Sequence, residues 1–433
     1  MKKWKTRSEL LNKLLKRLVG NLGVRKQLKL PRVLPVVHWE TGQNKEEFMM
    51  NDILEKRKQD IKKIIKGLDI TPSMFKNAET KYKSIAKYLN ENGLNVDISL
   101  QGSFAIGTAT KPYSDGKEKA YDVDVICQFK NENLTSKEIR NSLISILNDS
   151  EVYEDKINEW PKCFTLEYAK FNDYDFSIDL VPTIRIEKSN VFGNDINEKY
   201  LTNILKIAVK EEDYSWYPIN PKGYQIWFND INSRFALYNR ETRMRNLFEA
   251  NKEIYASVED IPEYFNKSAL QEAIQILKRS RDIYFSKKYK DENKPASIII
   301  TTFTALVANN LPTNIDSVDL VFEVLKELNQ YSNDESYCKI MSPIIKKNGT
   351  WKFLNPVNNK DNLLDSWNED KENARLFFDW VKNANKSFAS IVDLNNNEHI
   401  RDLGNSLGND IVDKLFERDK IEKINNGVKP YHA

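Results

Sequence analysis

Apolar residues recur at three- and four-residue steps from Glu46 to Leu68, at Phe48, Ile53, Ile61, Ile64, Ile65 and Leu68. That period predicts a helix with one apolar face. The pattern breaks at "DITPSMF", where Thr71 can cap a new helix and Pro72 can occupy its first position. This second helix is predicted to run to about Leu89 and to stop at "NENG", where Gly93 suits the residue after a helix end. The period then drops to two. Val96, Ile98 and Leu100 alternate with Asp97 and Ser99, which predicts a strand, and "YDVDVICQF" (Tyr121–Phe129) predicts another. "SKEIRNSLISILN" reads as a helix capped by Ser136. "CFTLEYAKFNDYDFSIDLVPTIRIE" reads as a hairpin turning at "FNDYD", with a separate strand after Pro182. Residues 45–190 therefore read as helices packed on a mostly antiparallel sheet.

After about residue 200 the pattern turns helical. "SALQEAIQILKRSRDIYF" predicts a helix capped by Ser268, and "PASIIITTFTALVANN", "VDLVFEVLKELNQYS" and "ENARLFFDWVKNANKSF" predict three more. The expected fold class is α+β with two lobes: a mostly antiparallel sheet with helices in the N-terminal lobe, and a helical C-terminal lobe. The expected divisions are an arm at 1–44, a core at 45–205 and the helical lobe at 206–433.

Composition narrows the class. A chain of 433 residues exceeds one ordinary hydrophobic core, and 40% apolar with 30% charged residues describes a soluble globular protein. No run of 18 apolar residues occurs, so no membrane span is expected. Cys127, Cys163 and Cys338 make neither a disulfide framework nor a zinc site, which fits a reducing cytoplasm. His38, His399 and His432 are scattered, which weighs against imidazole-based catalysis. The net charge of +3 is uneven. Residues 1–32 carry eleven Lys/Arg and one Glu, leaving 55 Lys/Arg against 62 Asp/Glu, or −7, in the rest. The arm reads as a solvated helix with Leu10, Leu11, Leu14, Leu15 and Leu18 turned to the body, or as an anion-binding segment.

The candidate chemistry starts at Asp122 and Asp124. Period two puts both on one strand face, and like charges there call for a cation between them, for which a hard divalent ion suits. Asp179, in the alternating "DFSIDLVP", offers a third carboxylate from a neighbouring strand end. Three such acids can hold two magnesium ions about 4 Å apart for in-line phosphoryl transfer. Taken alone, Asp-x-Asp is more often a solvated sheet face. Upstream, "LQGSFAIGTATKP" ends a strand and opens a turn at Gly102-Ser103. Glycine lets backbone approach a phosphate, and Ser103 with the backbone amides can donate to it. Gly107 and Thr108 fit either a turn or packing. Neither a G-x-x-x-x-G-K-[ST] loop nor a G-x-G-x-x-G fingerprint occurs.

"QGSFAIGT", "YDVDV" and "SIDLVP" in that order resemble the nucleotidyltransferase fold of DNA polymerase beta, oligoadenylate synthase and cyclic GMP–AMP synthase. "NPKGYQIWF", "LQEAIQILKRSRDIYF", "KPASIIITTF" and "LNPVNNKDNLLDSW" narrow the resemblance, over roughly residues 95–370, to the bacterial cGAS/DncV-like nucleotidyltransferases. The resemblance implies Gly102 and Ser103 at the donor triphosphate, with Lys278 and Ser297 also touching it. It implies Asp122, Asp124 and Asp179 as ligands of two Mg2+ (Mn2+ as substitute), with Asp179 also activating the attacking ribose hydroxyl. Many relatives carry a His where this chain has Ser280. The residues by themselves leave Lys278 and Asp282 open to being a surface pair, and Ser297 to being a helix cap.

The implied function is synthesis of a cyclic di- or trinucleotide messenger for bacterial anti-phage signalling. Nucleoside triphosphates would be the substrates, ATP foremost and GTP beside it. A downstream effector would receive the product, and activating or conjugating proteins are further partners the resemblance allows, with no membrane and no obligatory nucleic acid. The rivals are a linear oligoadenylate synthase, an RNA-tailing enzyme and a catalytically inactive nucleotide-binding regulator.

Overall fold

The computed structural model describes residues 43–416, apart from 112, 115–116, 119–120, 172–173, 188–191, 193–194, 251–266, 290–292 and 334–342. The basic arm, except its last two residues, and the chain after 416 lie outside the described residues. Two helices, α1 (Gln43–Leu68) and α2 (Pro72–Glu91), precede β1 (Val96–Leu100). Thr71 caps α2, its side chain accepting from the Met74 amide at 3.3 Å. Gly93 follows the helix end at φ +93°, a conformation glycine adopts without strain. A single-turn helix α3 (Gly102–Ala105), a small hairpin β2–β3 (Tyr113–Ser114, Lys117–Glu118) and β4 (Tyr121–Phe129) follow. Then come α4 (Ser136–Asn148), β5 (Ile157–Glu159), β6 (Phe164–Phe171), β7 (Tyr174–Arg185), β8 (Leu205–Lys210) and β9 (Tyr214–Ile219). The cap of α4 is Thr135, one residue before the expected Ser136. Thr135 forms a reciprocal box with Glu138, while the Ser136 hydroxyl donates to the Val209 carbonyl at 3.2 Å.

The sheet runs β1-β4-β7-β6-β5, with β8 on β7 and β9 on β8. Every pairing within it is antiparallel except β4 with β7, which is parallel from Tyr121↔Phe176 to Phe129↔Ile184. The strand expected to begin after Pro182 is the second half of β7. Pro182 falls between Leu180, paired to β6, and Thr183, paired to β8, so its missing N–H sits where the antiparallel partner changes. The helical reading began too early. β8 and β9 carry the sheet through Ile219, past the expected division at 205.

The helical lobe contains α5 (Pro221–Ala250), α6 (Ala269–Lys288), α7 (Ser297–Asn309), α8 (Ser317–Asn333), α9 (Asp365–Glu369), α10 (Lys371–Val392) and α11 (His399–Leu407). Four short strands lie between α8 and α9: β10 (Ile345–Lys347), β11 (Thr350–Lys352), β12 (Leu354–Asn355) and β13 (Asn358–Asn362). Two large cores result, one under the sheet against α2 and α4, the other inside the helical lobe. α1 belongs to the second. Its Ile61, Ile64, Ile65 and Leu68 are buried there, each worth about 2 kcal/mol of apolar transfer. Arg57 on the same helix donates to the carbonyls of Ile391 (3.2 Å), Asp393 and Asn396 (2.8 Å), and Lys58 pairs with Asp319 at 2.8 Å. The first helix is thus packed on the helical lobe, and its end reaches the other, where the Lys111 amide donates to the Leu68 carbonyl at 3.0 Å.

Candidate active site

The parallel ladder brings the expected carboxylates together. Asp124 and Asp179 are register partners across β4 and β7, about 4.8 Å apart in backbone, and Asp122 lies two residues back on the same face. They stand inside the strands, not at the strand ends. The Asp122 carboxylate accepts from the Ser177 hydroxyl, and Asp179 accepts from the Thr165 hydroxyl at 2.5 Å. Burial pushes all three carboxyls above the usual range. Asp124 goes furthest, up to about 7, through burial and then the charges of Asp179 and Asp122, with Lys278 opposing. Asp122 keeps an exposed edge, yet its dense surroundings still raise it.

The Gly-Ser turn sits directly against this triad. β1 pairs with β4, and the Gln101 amide donates to the Asp124 carbonyl at 2.9 Å. Gly102 then takes φ +61°, and a β-carbon there would lie 2.3 Å from Asp124 Oδ2. Glycine is therefore required twice, by the left-handed backbone and by the carboxylate against it. Ser103 lies beside it on the cavity wall.

The cavity has a volume of about 720 Å³, within the range of small-molecule sites, and lies between the lobes. The sheet lobe supplies Asp122, Asp124 and Asp179, with Lys162 beside them. The helical lobe supplies cations: Lys278 and Arg281 on α6, and Lys294 just before α7. Lys278 is 7% exposed, so it is no surface partner of Asp282. Its ammonium donates to the Thr108 carbonyl at 3.1 Å. Burial, and then the neighbouring Arg281 charge, bring its pKa down to about 8. Asp282 pairs instead with Arg281 at 2.7 Å and stands 3.8 Å from Lys294.

Ser297 is the first residue of α7, after the cap Ala296, and does not cap the helix itself. Arg281 Nη1 donates to Ser297 Oγ at 2.9 Å and to the Pro295 carbonyl at 2.8 Å. A guanidinium only donates, so the Ser297 proton is left for another acceptor. That suits a phosphate oxygen in the cavity. Gly102, Ser103, Asp122, Asp124, Asp179, Lys278 and Ser297 all line this one cavity.

The sequence leaves Arg279 and Arg281 open either to lining a basic cleft or to solvated or salt-bridged structural roles, and Arg281 does both, lining the cavity and pairing with Asp282. Arg281 is three residues after Lys278 and shares its helix face, a spacing visible in the sequence. Arg279 faces the opposite way, donating to the Leu407 carbonyl at 2.8 Å and stacking on Tyr113. Ser280 accepts from Trp380 Nε1 at 3.4 Å and lies outside the cavity lining. "NPKGYQIWF" packs the lobes together and is also cavity wall. Trp227 and Phe228 are buried in the helical core, whereas Asn220, Tyr224 and Gln225 line the cavity. Asn220 donates to the carbonyls of Tyr200 and Val357, both at 3.0 Å, and so ties sheet to lobe. Asn355, Asn358 and Asp361 form the far wall, a placement no short-range pattern reveals.

Among the described residues, no three His, Cys, Asp or Glu side chains are already drawn into a cation cage. The donor set nevertheless fits a hard divalent ion. Three carboxylates share one face, and burial together with the charges of Asp179 and Asp122 raises Asp124, a penalty that a bound cation offsets.

Residues 56–232 match the Second Messenger Oligonucleotide or Dinucleotide Synthetase domain. A c-di-GMP synthase of Roseivirga ehrenbergii is 29% identical over 336 residues, covering 76% of this chain and 78% of that protein. The CD-NTase CdnG of Bradyrhizobium diazoefficiens, solved with GTP, shares the fold. Its TM-score is 0.62 at 16% identity, over 84% of this chain and 99% of its own. The Vibrio cholerae DncV cyclic AMP-GMP synthase aligns at 15% identity with a TM-score of 0.47, over 85% of this chain and 91% of its own. Among the described residues no helix is long and apolar enough to cross a membrane.

Proposed function

We propose that this chain, a bacterial cGAS/DncV-like nucleotidyltransferase by its domain and fold, joins nucleoside triphosphates into a cyclic di- or trinucleotide. Each bond forms when a ribose hydroxyl attacks an α-phosphorus and pyrophosphate leaves. A second attack within the linear intermediate closes the ring. The observation that carries the reading is the Asp124↔Asp179 register with Asp122 on the same face and Gly102 held against Asp124, all opposite Lys278 and Ser297 in one cavity.

The residues divide the work. Asp122, Asp124 and Asp179 would hold two Mg2+ ions, or Mn2+ in their place, which supply charge stabilisation at the attacking and leaving oxygens. Lys278 donates to the triphosphate with the two ammonium protons that Thr108 leaves over, and Ser297 donates its hydroxyl proton. The Gly102-Ser103 turn approaches the phosphates from the sheet side. Asp179, the register partner of Asp124, would receive the proton of the attacking hydroxyl. Catalysis of this kind rests on positioning and preorganised charge.

The Roseivirga relative makes GTP the first substrate to test, ahead of ATP. A role in anti-phage signalling, in the cytoplasm, with an effector reading the product, extends the same proposal. The test is incubation of the purified protein with all four triphosphates and Mg2+ or Mn2+, then phosphatase treatment and mass spectrometry. A phosphatase-resistant cyclic guanine nucleotide is expected, with one pyrophosphate per bond formed. Only phosphatase-sensitive linear products would make the chain a linear synthase. No product with any triphosphate would return it to the nucleotide-binding regulators.

A further inference from the structure

The loop after the Gly-Ser turn, from Ala105 to Ala109, has five consecutive backbone carbonyls, and each accepts a hydrogen bond from a side chain of the helical lobe. Gln225 Nε2 donates to Ala105 (3.1 Å), Gln271 Nε2 to Ile106 (2.9 Å) and Lys267 Nζ to Gly107 (2.7 Å). Lys278 Nζ donates to Thr108 (3.1 Å) and Gln275 Nε2 to Ala109 (2.8 Å). Loop carbonyls ordinarily go to water or to a local turn. Here four of the five are taken by residues spaced 4, 4 and 3 apart in sequence, one stripe along and just before α6. Gly107, at φ +70°, fits because a β-carbon there would lie 2.4 Å from Gln271 Nε2.

Lys267, Gln271 and Gln275 do not line the cavity, whereas Ser103, Thr108 and Lys278 do. The row therefore acts from behind the loop. Its donors hold the carbonyls toward the helical lobe. The loop and Lys278, a member of the same row, are thereby held in one fixed relation. Gln275 also donates to Asp69 at 2.7 Å, tying the row to the segment between α1 and α2.

We infer that Gln271 and Gln275 are positioning residues for triphosphate binding: with Lys267 they clamp the phosphate loop to the helix that carries Lys278. This rests on the nucleotidyltransferase reading for the identity of the ligand and on the hydrogen bonds for the clamp. The clamp makes a demand that mere packing does not. A neutral donor lost from the row loosens the loop relative to Lys278 and weakens triphosphate binding, while the carboxylates that govern the chemical step stay in place.

The test uses the full chain with Gln271→Met and Gln275→Met, singly and together, and Gln271→Lys, which restores a donor to the Ile106 carbonyl. Steady-state pyrophosphate release with each triphosphate is read beside calorimetric titration with inorganic tripolyphosphate and a thermal melt. The expected result is a KM raised about fivefold by each Met variant and more by the pair, kcat within twofold, tripolyphosphate affinity lowered in parallel, and recovery with Gln271→Lys. A lowered melting temperature with unchanged KM and unchanged tripolyphosphate affinity would make the row lobe packing alone and overturn the inference. If the double variant does not fold, the single variants carry the comparison. If the parent makes no product yet binds tripolyphosphate, weakened binding in the variants keeps the clamp while the proposed reaction fails. If the parent neither turns over nor binds tripolyphosphate, both fail.

Discussion

Gly102→Ala separates what the turn contributes to the fold from what it contributes to the site. An alanine at φ +61° costs about 1–2 kcal/mol of left-handed backbone energy. On a domain of this size each kcal/mol lowers the melting temperature by roughly 2–4 °C. The new methyl would also lie 2.3 Å from Asp124 Oδ2, whereas ordinary contact begins at 3.4 Å. The carboxylate must then move by about 1 Å. It is the free end of a side chain, so the fold tolerates the move, but a 1 Å misplacement at a reacting centre costs about 10²-fold in rate. The control is Gly93→Ala, also at positive φ but with nothing within 4 Å of the added carbon. The assay is initial-rate pyrophosphate release at saturating triphosphate and Mg2+, beside a thermal melt. Both variants should melt a few degrees lower, and only Gly102→Ala should lose about two orders of magnitude in kcat. A folded Gly102→Ala protein within threefold of parent turnover would refute the claim that Asp124 must hold the position the turn leaves for it.

Asp122→Ala with Asp124→Ala is expected to abolish product while the melt shows a folded chain; full turnover would remove the carboxylates from the mechanism. Ser297→Ala should raise the KM for triphosphate several-fold, since Arg281 can donate to phosphate but no longer orients a hydroxyl, and an unchanged KM would take Ser297 out of the contact. Lys278, with its pKa lowered to about 8, is charged below that pH and loses its proton as pH rises through it. The charged fraction falls from about one half at pH 8 to about one eleventh at pH 9, so affinity for a non-hydrolysable triphosphate should fall about fivefold over that unit. Lys278→Arg, charged throughout, should flatten that profile, and an equally steep profile in the Arg variant would assign the titration elsewhere.

The acidic half of the site was legible because it obeys a local rule. Period two puts Asp122 and Asp124 on one face, and "DFSIDLVP" offered a third acid in the same alternation. The pattern could not say that β4 and β7 run parallel. It therefore placed Asp179 at a strand end when it is the register partner of Asp124. The same limit hid β8 and β9. "LKIAVK" and "YSWYPI" are short strands next to a long helical region, and their strand character depends on pairing to β7, far back in the sequence. α1 was read correctly as a helix and assigned to the wrong lobe, because an apolar stripe says that a face is buried and not against what.

The cationic half obeys no such rule. A helix at a lobe surface has a wet face, and its charged residues can be set aside as solvated. α6 has almost none: Lys278, Arg279, Arg281 and Asp282 are 7%, 0%, 4% and 3% exposed. Buried charge persists only where each group finds a partner, so every residue along this stretch is fixed by a different neighbour. Lys278 takes a loop carbonyl, Arg279 the end of α11, Arg281 the Asp282 carboxylate and the start of α7. These partners lie 1 to 170 residues away, and the glutamines of the same helix reach back 165 and 166 residues to the loop after the Gly-Ser turn. A single sequence carries the donors and the acceptors but not the contacts between them. Its visible trace is the composition of the helix, which has more charge than its apolar residues allow if those residues also form a core. That excess is the physical signature of a helix that serves as the floor of a polar cleft, and it is from this helix that Lys278, Arg281 and Asp282 line the cavity.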